Sequence, residues 1–373
     1  MKHPNMDAPE ISLHIIGSKS MGGAERFFYR LISALNINGR SHKAMAITRR
    51  NSEVAQSAPQ GVITYTSYMR TVWDPVSKLH LRKLIYSLEP HIVQTYMGRA
   101  TRLTRLPKDR LPIHISRLGG YYTLDSYRHA HAWIGNTKGI YDYLISHDFP
   151  RKRVFFVPNF IDAVDRSLSE KKEELRMKVG FPLDALIVVS AGRFIPVKGH
   201  RYLLEAFSDL PPQSRGRPIF LVLLGDGPLK KEYMEFIQKK EIGGRVIMPG
   251  WVQNPLDYFI ASDVVAFPSL EQETLGNVVL EAWAVRRPVV VSRFRGAREI
   301  TRHGEDVLQV PCGDSKHLRD AIWRLLNDED LSNALSAAGY EKVIGQYSRG
   351  QVVAAYEEVY ATLLRDIMGQ AWF

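Results

Sequence analysis

The sequence predicts an α/β protein built from two doubly wound domains, each with a parallel sheet covered by helices. Short apolar, strand-like runs alternate with amphipathic helical segments along most of the chain, a rhythm typical of parallel sheets with helices on both faces. The alternation pauses near residues 160–170 and then restarts. A chain of 373 residues is also too long for one ordinary domain.

In the first half, the predicted strand "ISLHIIGS" ends at a glycine and leads into the helical segment "GGAERFFYRLISALNING". One face of this helix carries apolar residues at helical spacing: Phe27, Phe28, Leu31, Ile32 and Leu35. Further strands are predicted at "HKAMAIT", "HIVQTY", "IHISRL" and "AWIGNT", and a further helix at "KGIYDYLISHDF". The segment "VSKLHLRKLIYSLEP" predicts an amphipathic helix with Leu81, Leu84, Ile85 and Leu88 inward and Lys78, Arg82 and Lys83 outward.

The second half opens with the charged helical segment "SEKKEELRMKVGF", after "VFFVPNFIDAVDRS" has closed the first series. Its predicted strands are "ALIVVSAG", "RPIFLVLLGDGP", "RVIMPGWV", "DVVAFPSL", "RPVVVS" and "DVLQVP". We therefore predict an N-terminal domain over residues 1–163, a C-terminal domain over 164–350, and a helix in 351–373 that packs back toward the N-terminal domain. We expect the domains to face each other across a cleft, with ligands beyond the carboxyl ends of the strands.

The charge is unevenly distributed between the two halves. Residues 1–163 carry 23 lysines and arginines against 11 aspartates and glutamates, a net of +12, and the remainder carries 27 against 28, a net of −1. A basic half favours an anionic partner such as a phosphorylated substrate, an anionic lipid surface or nucleic acid, although a role in solubility is the alternative.

Composition excludes several other classes. The single cysteine, Cys312, excludes an internal disulfide and a multi-cysteine metal site. The N-terminal "MKHPNMDAPE" is polar, and the apolar run after it is short and interrupted by a histidine, which fits neither a signal peptide nor a membrane span. We expect a cytoplasmic protein, or one attached to a membrane from its cytoplasmic side.

Two glycine-containing loops follow predicted strands. Gly22 and Gly23 would let the backbone approach a ligand at the start of the first helix, where N–H groups favour an anion, although such a pair is also common in tight turns. Gly225 belongs to "LLGDGP", a turn signal after an apolar strand. Neither loop matches the G-x-G-x-x-G fingerprint of dinucleotide sites.

A pair of cations follows the first strand of the second series. Arg193 and Lys198 lie five residues apart in "AGRFIPVKG". A planar guanidinium and a lysine point charge together suit a diphosphate. The alternative interpretation is two solvated surface cations.

Two carboxylates bracket the segment "ETLGNVVLE". Glu273 is predicted in the loop after "VVAFPSL", and Glu281 is predicted one or two turns into the next helix. A buried carboxylate needs hydrogen-bonding partners, and vicinal sugar hydroxyls would serve. The amides around Gly276 and Asn277 would lie at the helix start, where a phosphate is favoured. The alternative is that Glu281 bonds neighbouring backbone.

Together, "GGAER", "AGRFIPVKG", "LLGDGP" and "PSLEQETLGNVVLEAWAVRRPVVVS", in this order, resemble family 4 (group 1) retaining glycosyltransferases of GT-B fold, of the bacterial cell-envelope or lipopolysaccharide type. The resemblance covers nearly the whole chain. It implies a metal-independent hexosyltransferase with no cofactor, because the UDP- or GDP-sugar is a substrate. It also implies a lipid-linked or lipopolysaccharide-type acceptor, or alternatively a small soluble one.

The resemblance also implies roles for individual residues. It assigns Arg193, Lys198 and Glu273 to catalysis, with both cations on the donor diphosphate and Glu273 near the donor sugar. Glu281 would bind the ribose. The remaining donor-binding positions are Gly225, Leu275, Gly276 and Asn277, and the acceptor and phosphate loop comprises Gly22, Gly23 and Arg117.

The acceptor side departs from the family pattern. Relatives often carry a histidine where this chain has Gln94, and another near the transferred sugar, where Arg117 or Tyr121 would stand here. With the basic excess, we expect an anionic lipid-linked acceptor and a peripheral position on the inner membrane surface. The segments "RATRLTRLPKDRLP" and "YYTLDSYRHAHAW" also allow a nucleic-acid-binding protein, but that class leaves the donor-site pattern unexplained, and we predict no nucleic-acid partner.

Overall fold

A computed structural model describes residues 11–37, 42–108, 110–162, 171–252 and 254–370, with side chains described as far as residue 366. The chain divides into two compact units. The first comprises residues up to 160 together with residues from 349 onward, and the second comprises residues 161–348. The predicted boundary between residues 163 and 164 falls outside the described residues.

The first unit is organised around a seven-stranded parallel sheet in the order β3-β2-β1-β4-β5-β6-β7. Its strands are β1 (Ile11–Ile16), β2 (Lys43–Arg49), β3 (Thr64–Ser67), β4 (Ile92–Tyr96), β5 (Ile113–Leu118), β6 (Ala132–Gly135) and β7 (Val154–Phe156). The connecting helices are α1 (Gly23–Ile37), α2 (Glu53–Gln56), α3 (Pro75–Leu88), α4 (Met97–Leu103) and α5 (Lys138–Ser146). The predicted apolar face of α1 is buried, so its helical periodicity is explained by core packing.

The second unit repeats this arrangement with a parallel sheet in the order β11-β10-β8-β12-β13-β14. Its strands are β8 (Leu186–Ala191), β9 (Gln213–Ser214), β10 (Arg217–Leu224), β11 (Val246–Gly250), β12 (Val264–Phe267), β13 (Val289–Ser292) and β14 (Leu308–Val310), of which β9 pairs antiparallel with β10. Its helices are α6 (Lys172–Val179), α7 (His200–Ser208), α8 (Lys230–Lys239), α9 (Leu256–Ala261), α10 (Asn277–Ala284), α11 (Arg295–Ile300), α12 (Ser315–Asn327) and α13 (Glu329–Gln346).

In both sheets the strand order reverses direction beside the first strand. The neighbours of β1 are β2 and β4, and the neighbours of β8 are β10 and β12. The connections that follow β1 and β4, and likewise those that follow β8 and β12, therefore lead to opposite faces of the sheet, which opens a crevice at the carboxyl ends of these strands. Each unit is thus a doubly wound α/β domain of Rossmann type, as the sequence predicts, with one such crevice.

The last helix, α14 (Arg349–Gln370), belongs to the first unit. Its apolar residues Val352, Val353 and Leu363 join the core cluster that contains the buried face of α1. It also makes polar contacts with the sheet: Tyr356 Oη accepts from Arg117 Nε at 2.8 Å, and Tyr360 Oη donates to Gln94 Oε1 at 2.8 Å.

Candidate donor and acceptor sites

Two loops at the crevice of the second sheet contain the predicted donor residues. The loop after β8 runs from Gly192 to Gly199, and the loop after β12 runs from Pro268 to Gly276. Because β8 and β12 are neighbours and parallel, both loops leave the same edge of the sheet at its topological switch point.

The backbone around Arg193 is fixed by the glycine loop that follows β10. Gly192 N donates to Leu224 O and Phe194 N donates to Asp226 O, both at 2.9 Å. Gly225 has φ +143°, and a Cβ there would lie 2.1 Å from Gly192 O, so this close approach requires glycine. Arg193 therefore lies between two anchored residues.

The Arg193 side chain itself is exposed. Its guanidinium forms no hydrogen bond or ion pair with any residue that the structure describes. A planar, permanently charged group on a fixed backbone is suited to binding an anion.

A second glycine fixes the two loops against each other. Gly199 follows a 3₁₀ turn at Pro196–Lys198 and has φ +66°, and a Cβ there would lie 2.0 Å from Pro268 O. Leu270 N donates to Val197 O at 2.8 Å. This contact brings the start of the second loop beside Lys198.

Lys198 and Glu273 form an ion pair. Lys198 Nζ lies 2.5 Å from Glu273 Oε2, and both side chains are largely buried. Ser269 Oγ donates to the same carboxylate at 3.3 Å, and Thr274 N donates to its other oxygen at 3.3 Å. Charge-assisted hydrogen bonds of this kind hold a carboxylate in one orientation.

Leu275, Gly276 and Asn277 form the entry to α10. Leu275 is buried and Gly276 has φ +75°. A Cβ on Gly276 would lie 2.8 Å from Phe267 and from Phe294. The helix therefore begins at Asn277 with its amino end beside the Glu273 loop, and the amino end of a helix favours an anion.

Glu281 lies in the fifth position of α10 and is only 8% exposed. Its carboxylate forms no hydrogen bond or ion pair with a described residue, neighbouring backbone included. Neither carboxylate oxygen is among the fully buried, unpartnered side-chain atoms, so the group reaches the surface and is open to a partner from outside the chain.

On the acceptor side, Gly22 and Gly23 lie at the start of α1, beyond β1. Arg26 N donates to Gly22 O at 3.0 Å, closing the first turn. A Cβ on Gly22 would lie 2.9 Å from Glu25 Oε2, so a larger residue would displace this buried carboxylate.

Arg117, at the end of β5, is buried and held mainly by uncharged groups. Nε donates to Tyr356 Oη, Nη2 donates to Asn159 Oδ1, and Cζ lies 4.2 Å from the centroid of the Phe27 ring. Nη1 makes no hydrogen bond with a described residue. Arg117 thus fastens α14 to the sheet and leaves one nitrogen for another partner.

Gln94 and Tyr121, two residues expected on the acceptor side, contact other side chains of the first unit. Gln94 is fully buried, donates from Nε2 to Tyr96 Oη at 2.6 Å and accepts from Tyr360 Oη. The ring of Tyr121 packs edge-on against Tyr143, with centroids 5.3 Å apart.

Two arginines that the sequence did not assign to the acceptor site, Arg99 and Arg49, lie at the crevice of the first sheet. Arg99, just after β4, donates from Nη1 to Gly17 O at 3.1 Å. Burial and the nearby guanidinium of Arg49 lower the pKa of Arg99. An arginine after each of two strands was visible in the sequence, but only the strand order places both beside the loop that follows β1.

Within the described ranges, no three or more histidine, cysteine, aspartate or glutamate side chains are grouped so that they could hold a metal ion. The helices in these ranges lack the combination of length and apolar character that spanning a bilayer requires.

Comparison with known proteins identifies close sequence relatives. The family described as glycosyl transferases group 1 matches residues 171–342. The chain is 32% identical over 351 residues to the lipopolysaccharide core biosynthesis glycosyltransferase LpsE of Rhizobium meliloti (strain 1021), covering 91% of this chain and 96% of the relative. It is 28% identical over 344 residues to LpsD of the same organism, covering 91% and 95%.

The fold is likewise similar to solved glycosyltransferase structures. The crystal structure of Anabaena Alr3699/HepE in complex with UDP and glucose aligns with a TM-score of 0.79 at 18% identity, covering 94% of this chain and 99% of the other. At that identity the likeness concerns the fold alone, which is the GT-B fold with its two Rossmann-like sheets.

Proposed function

The chain belongs to the group 1 family of glycosyl transferases, and we propose that it moves a sugar, with retention of configuration, from a UDP- or GDP-sugar to a lipid-linked acceptor of lipopolysaccharide type. Its activity as a glycosyltransferase follows from the family. The identity of the donor, the retention of configuration and the identity of the acceptor are our proposals. The observation that carries the donor proposal is the convergence of Lys198, Glu273 and Arg193 on two interlocked loops at one switch point.

In the proposed donor complex, Arg193 and Lys198 bind the diphosphate and Glu281 binds the ribose hydroxyls. These roles are supported because neither the Arg193 guanidinium nor the Glu281 carboxylate has a partner in the part of the chain that the structure describes. Glu273, held by Lys198 and Ser269, would orient the sugar, and the backbone of Gly225 and Leu275–Asn277 would complete the site. HepE, whose structure contains UDP and glucose, supports a nucleotide-sugar donor by analogy of fold.

The proposed reaction is a front-face substitution. The acceptor hydroxyl oxygen forms a bond to the anomeric carbon as the bond from that carbon to the diphosphate oxygen breaks, and the hydroxyl proton passes to the departing diphosphate. No protein nucleophile is needed. Arg193 and Lys198 would stabilise the charge that develops on the leaving group, so we propose transfer without a metal ion or cofactor.

The proposed acceptor is anionic and lipid-linked. The printed functions of LpsE and LpsD, both in lipopolysaccharide core biosynthesis, support it, as does the net charge of +12 in residues 1–163. Gly22, Gly23 and the free Nη1 of Arg117 would receive the acceptor beside Arg99 and Arg49. The enzyme would work as a peripheral protein on the cytoplasmic face of the inner membrane.

The test is a panel of UDP- and GDP-sugars combined with either truncated lipopolysaccharide in vesicles or its delipidated core oligosaccharide, in the presence of EDTA. Release of nucleoside diphosphate above the acceptor-free rate, with an α-linked product from an α-linked donor by NMR, is expected for the lipid-linked acceptor. An inverted product, or activity that requires magnesium, would refute the mechanism. Transfer to the delipidated core at the same kcat/KM would favour the soluble-acceptor alternative.

A further inference from the structure

We propose that the outer face of α3 is a membrane-docking surface that inserts apolar side chains into an anionic leaflet. This surface, termed here the α3 face, consists of Trp73, Val76, Leu79 and Tyr86 with the cations around them. Trp73, Val76 and Leu79 are 72%, 52% and 69% exposed. The inference deepens the proposed function and rests on its membrane-linked acceptor, but it names a surface that can be tested without any sugar.

The exposed apolar residues lie opposite the side of α3 that packs on the sheet. Leu81 and Ile85 are fully buried in the core cluster beneath the helix, with Leu84 and Leu88 packed against that cluster. Val76, Leu79 and Tyr86 follow the i, i+3, i+10 spacing of one helix face and point away from it. The helix is therefore apolar on two sides, and core packing explains only one.

Basic side chains border the α3 face. Between residues 70 and 88 the chain carries Arg70, Lys78, Arg82 and Lys83, against one acid, Asp74. The Asp74 carboxylate caps α3 by accepting from Val76 N, Ser77 N and Ser77 Oγ. Its hydrogen bonds to Ser77 lower its pKa, so it remains charged, but it offsets only part of the positive charge.

The cations lie directly beside the exposed rings. Lys78 Nζ and Arg102 Cζ lie 6.0 and 5.9 Å from the Trp73 ring centroid, and Arg82 Cζ lies 5.7 Å from that of Tyr86. Aromatic rings bordered by lysine and arginine are typical of surfaces that lie in the headgroup region. The rings and Leu79 can enter the acyl boundary while the cations meet lipid phosphates.

An anionic bilayer fits this surface better than a protein partner. Long, flexible cations around a single apolar stripe match the many mobile phosphates of a leaflet, whereas a protein interface usually depletes lysine. The charge complementarity and the exposed tryptophan therefore favour anionic lipid as the partner of the α3 face.

The experiment is flotation of the full chain with vesicles of phosphatidylcholine alone or with 30% phosphatidylglycerol, at low and high salt and without nucleotide sugar. We expect wild-type protein to float with anionic vesicles and Trp73→Ser/Leu79→Ser to partition about tenfold or more weakly, since each apolar side chain withdrawn from lipid reduces binding. Arg82→Gln/Lys83→Gln should weaken binding mainly at low salt. Ile37→Ser removes an equally exposed apolar residue, 65% exposed at the end of α1, and should bind as wild type does.

Circular dichroism melts establish that each variant is folded. Absence of wild-type flotation with anionic vesicles would overturn the inference, and so would unchanged binding of Trp73→Ser/Leu79→Ser. Transfer to delipidated core separates the two proposals: a docking variant that keeps this activity while losing transfer to lipopolysaccharide in vesicles supports the inference. Loss of activity on both acceptors by a folded variant would overturn it, because the surface would then serve the reaction itself.

Discussion

Lys198 Nζ contacts Glu273 Oε2 at 2.5 Å although the two residues are 75 positions apart. Gly199 makes this contact possible, because its φ of +66° and missing side chain allow the loop to lie against Pro268 O. Both charges are largely withdrawn from water, so each depends on the other for neutralisation. The two residues therefore act as one unit in the proposed donor site.

This pairing predicts strongly non-additive kinetics. Lys198→Ala is expected to reduce kcat/KM by about 10²–10³, since it removes a cation from the leaving group and leaves Glu273 uncompensated. Glu273→Ala is expected to have a similar effect, and the double variant should be far less impaired than the product of the two. Steady-state kinetics with the preferred donor measures this.

The matched control is Lys231→Ala, which removes an exposed lysine paired with Glu235 at 3.8 Å and should keep wild-type kcat/KM. If the loss of kcat/KM in the double variant equals the product of the two single losses, Lys198 and Glu273 do not act as a coupled pair.

Glu281→Gln should weaken nucleoside diphosphate binding roughly tenfold or more, because a hydrogen bond to a charged group contributes about 1.5–3 kcal/mol. Since the carboxylate has no described internal partner, the free energy of unfolding should change by less than about 0.5 kcal/mol. Calorimetric titration and urea unfolding measure the two quantities. A destabilised variant with normal binding would show that Glu281 is structural; Glu235→Gln, at an exposed carboxylate, is the control.

The donor loops were predictable from sequence because the relevant signals are local. A strand ending in glycine, cations five residues apart and two acids around a helix start are all visible in single segments. Pairing of Lys198 with Glu273 was not predictable, because it depends on β8 and β12 being neighbours. The sequence indicated two anion-binding cations; among the described residues Lys198 is paired with Glu273, whereas Arg193 has no such partner.

In the first domain, too, features that depend on sheet edges or on contacts distant in sequence were not predictable. Strands β3 and β7 were not predicted, since each is short, lies at a sheet edge and is partly exposed, which weakens the apolar pattern. Arg117 was predicted only as an acceptor residue, whereas its bonds to Tyr356 and Asn159 are contacts distant in sequence. The amphipathic pattern of α3 predicted Leu81 and Ile85 inward, which the burial confirms, but not the exposed Leu79 opposite them.

Tyr356→Phe should destabilise the protein by about 1–3 kcal/mol, because it leaves Arg117 Nε without an acceptor in a buried site. The midpoint of urea unfolding measures this. Tyr86→Phe, at an exposed tyrosine, is the control and should be neutral. Equal stability of Tyr356→Phe and wild type would mean that Arg117 does not fasten α14.

Stability should fall between pH 7 and pH 5. Burial lowers the pKa of His14 to about 3 and that of His131 to about 4, below the unfolded value of about 6.5. Such histidines stabilise the fold fully above about pH 6.5, and this stabilisation is lost as the pH falls toward 4, because the unfolded chain binds protons first. For each of the two histidines, the free energy of unfolding is expected to be lower by about 2 kcal/mol at pH 5 than at pH 7.

His131 offers a specific test, since its Nδ1 accepts from His114 N at 2.9 Å as a neutral ring. His131→Asn should reduce the slope of unfolding free energy against pH, whatever its effect at pH 7. An unchanged slope would mean that other groups carry the acid sensitivity.

The central claim is that the crevice of the second sheet binds the nucleoside diphosphate, and calorimetric titration of UDP and GDP into Arg193→Ala tests it most directly. Arg193 has no partner among the described residues, so its removal should leave folding intact while raising the Kd about tenfold or more for whichever diphosphate binds the wild-type protein. Arg324→Ala removes another exposed arginine of the same unit and should bind as wild type does. Wild-type affinity of folded Arg193→Ala for both diphosphates would contradict the account.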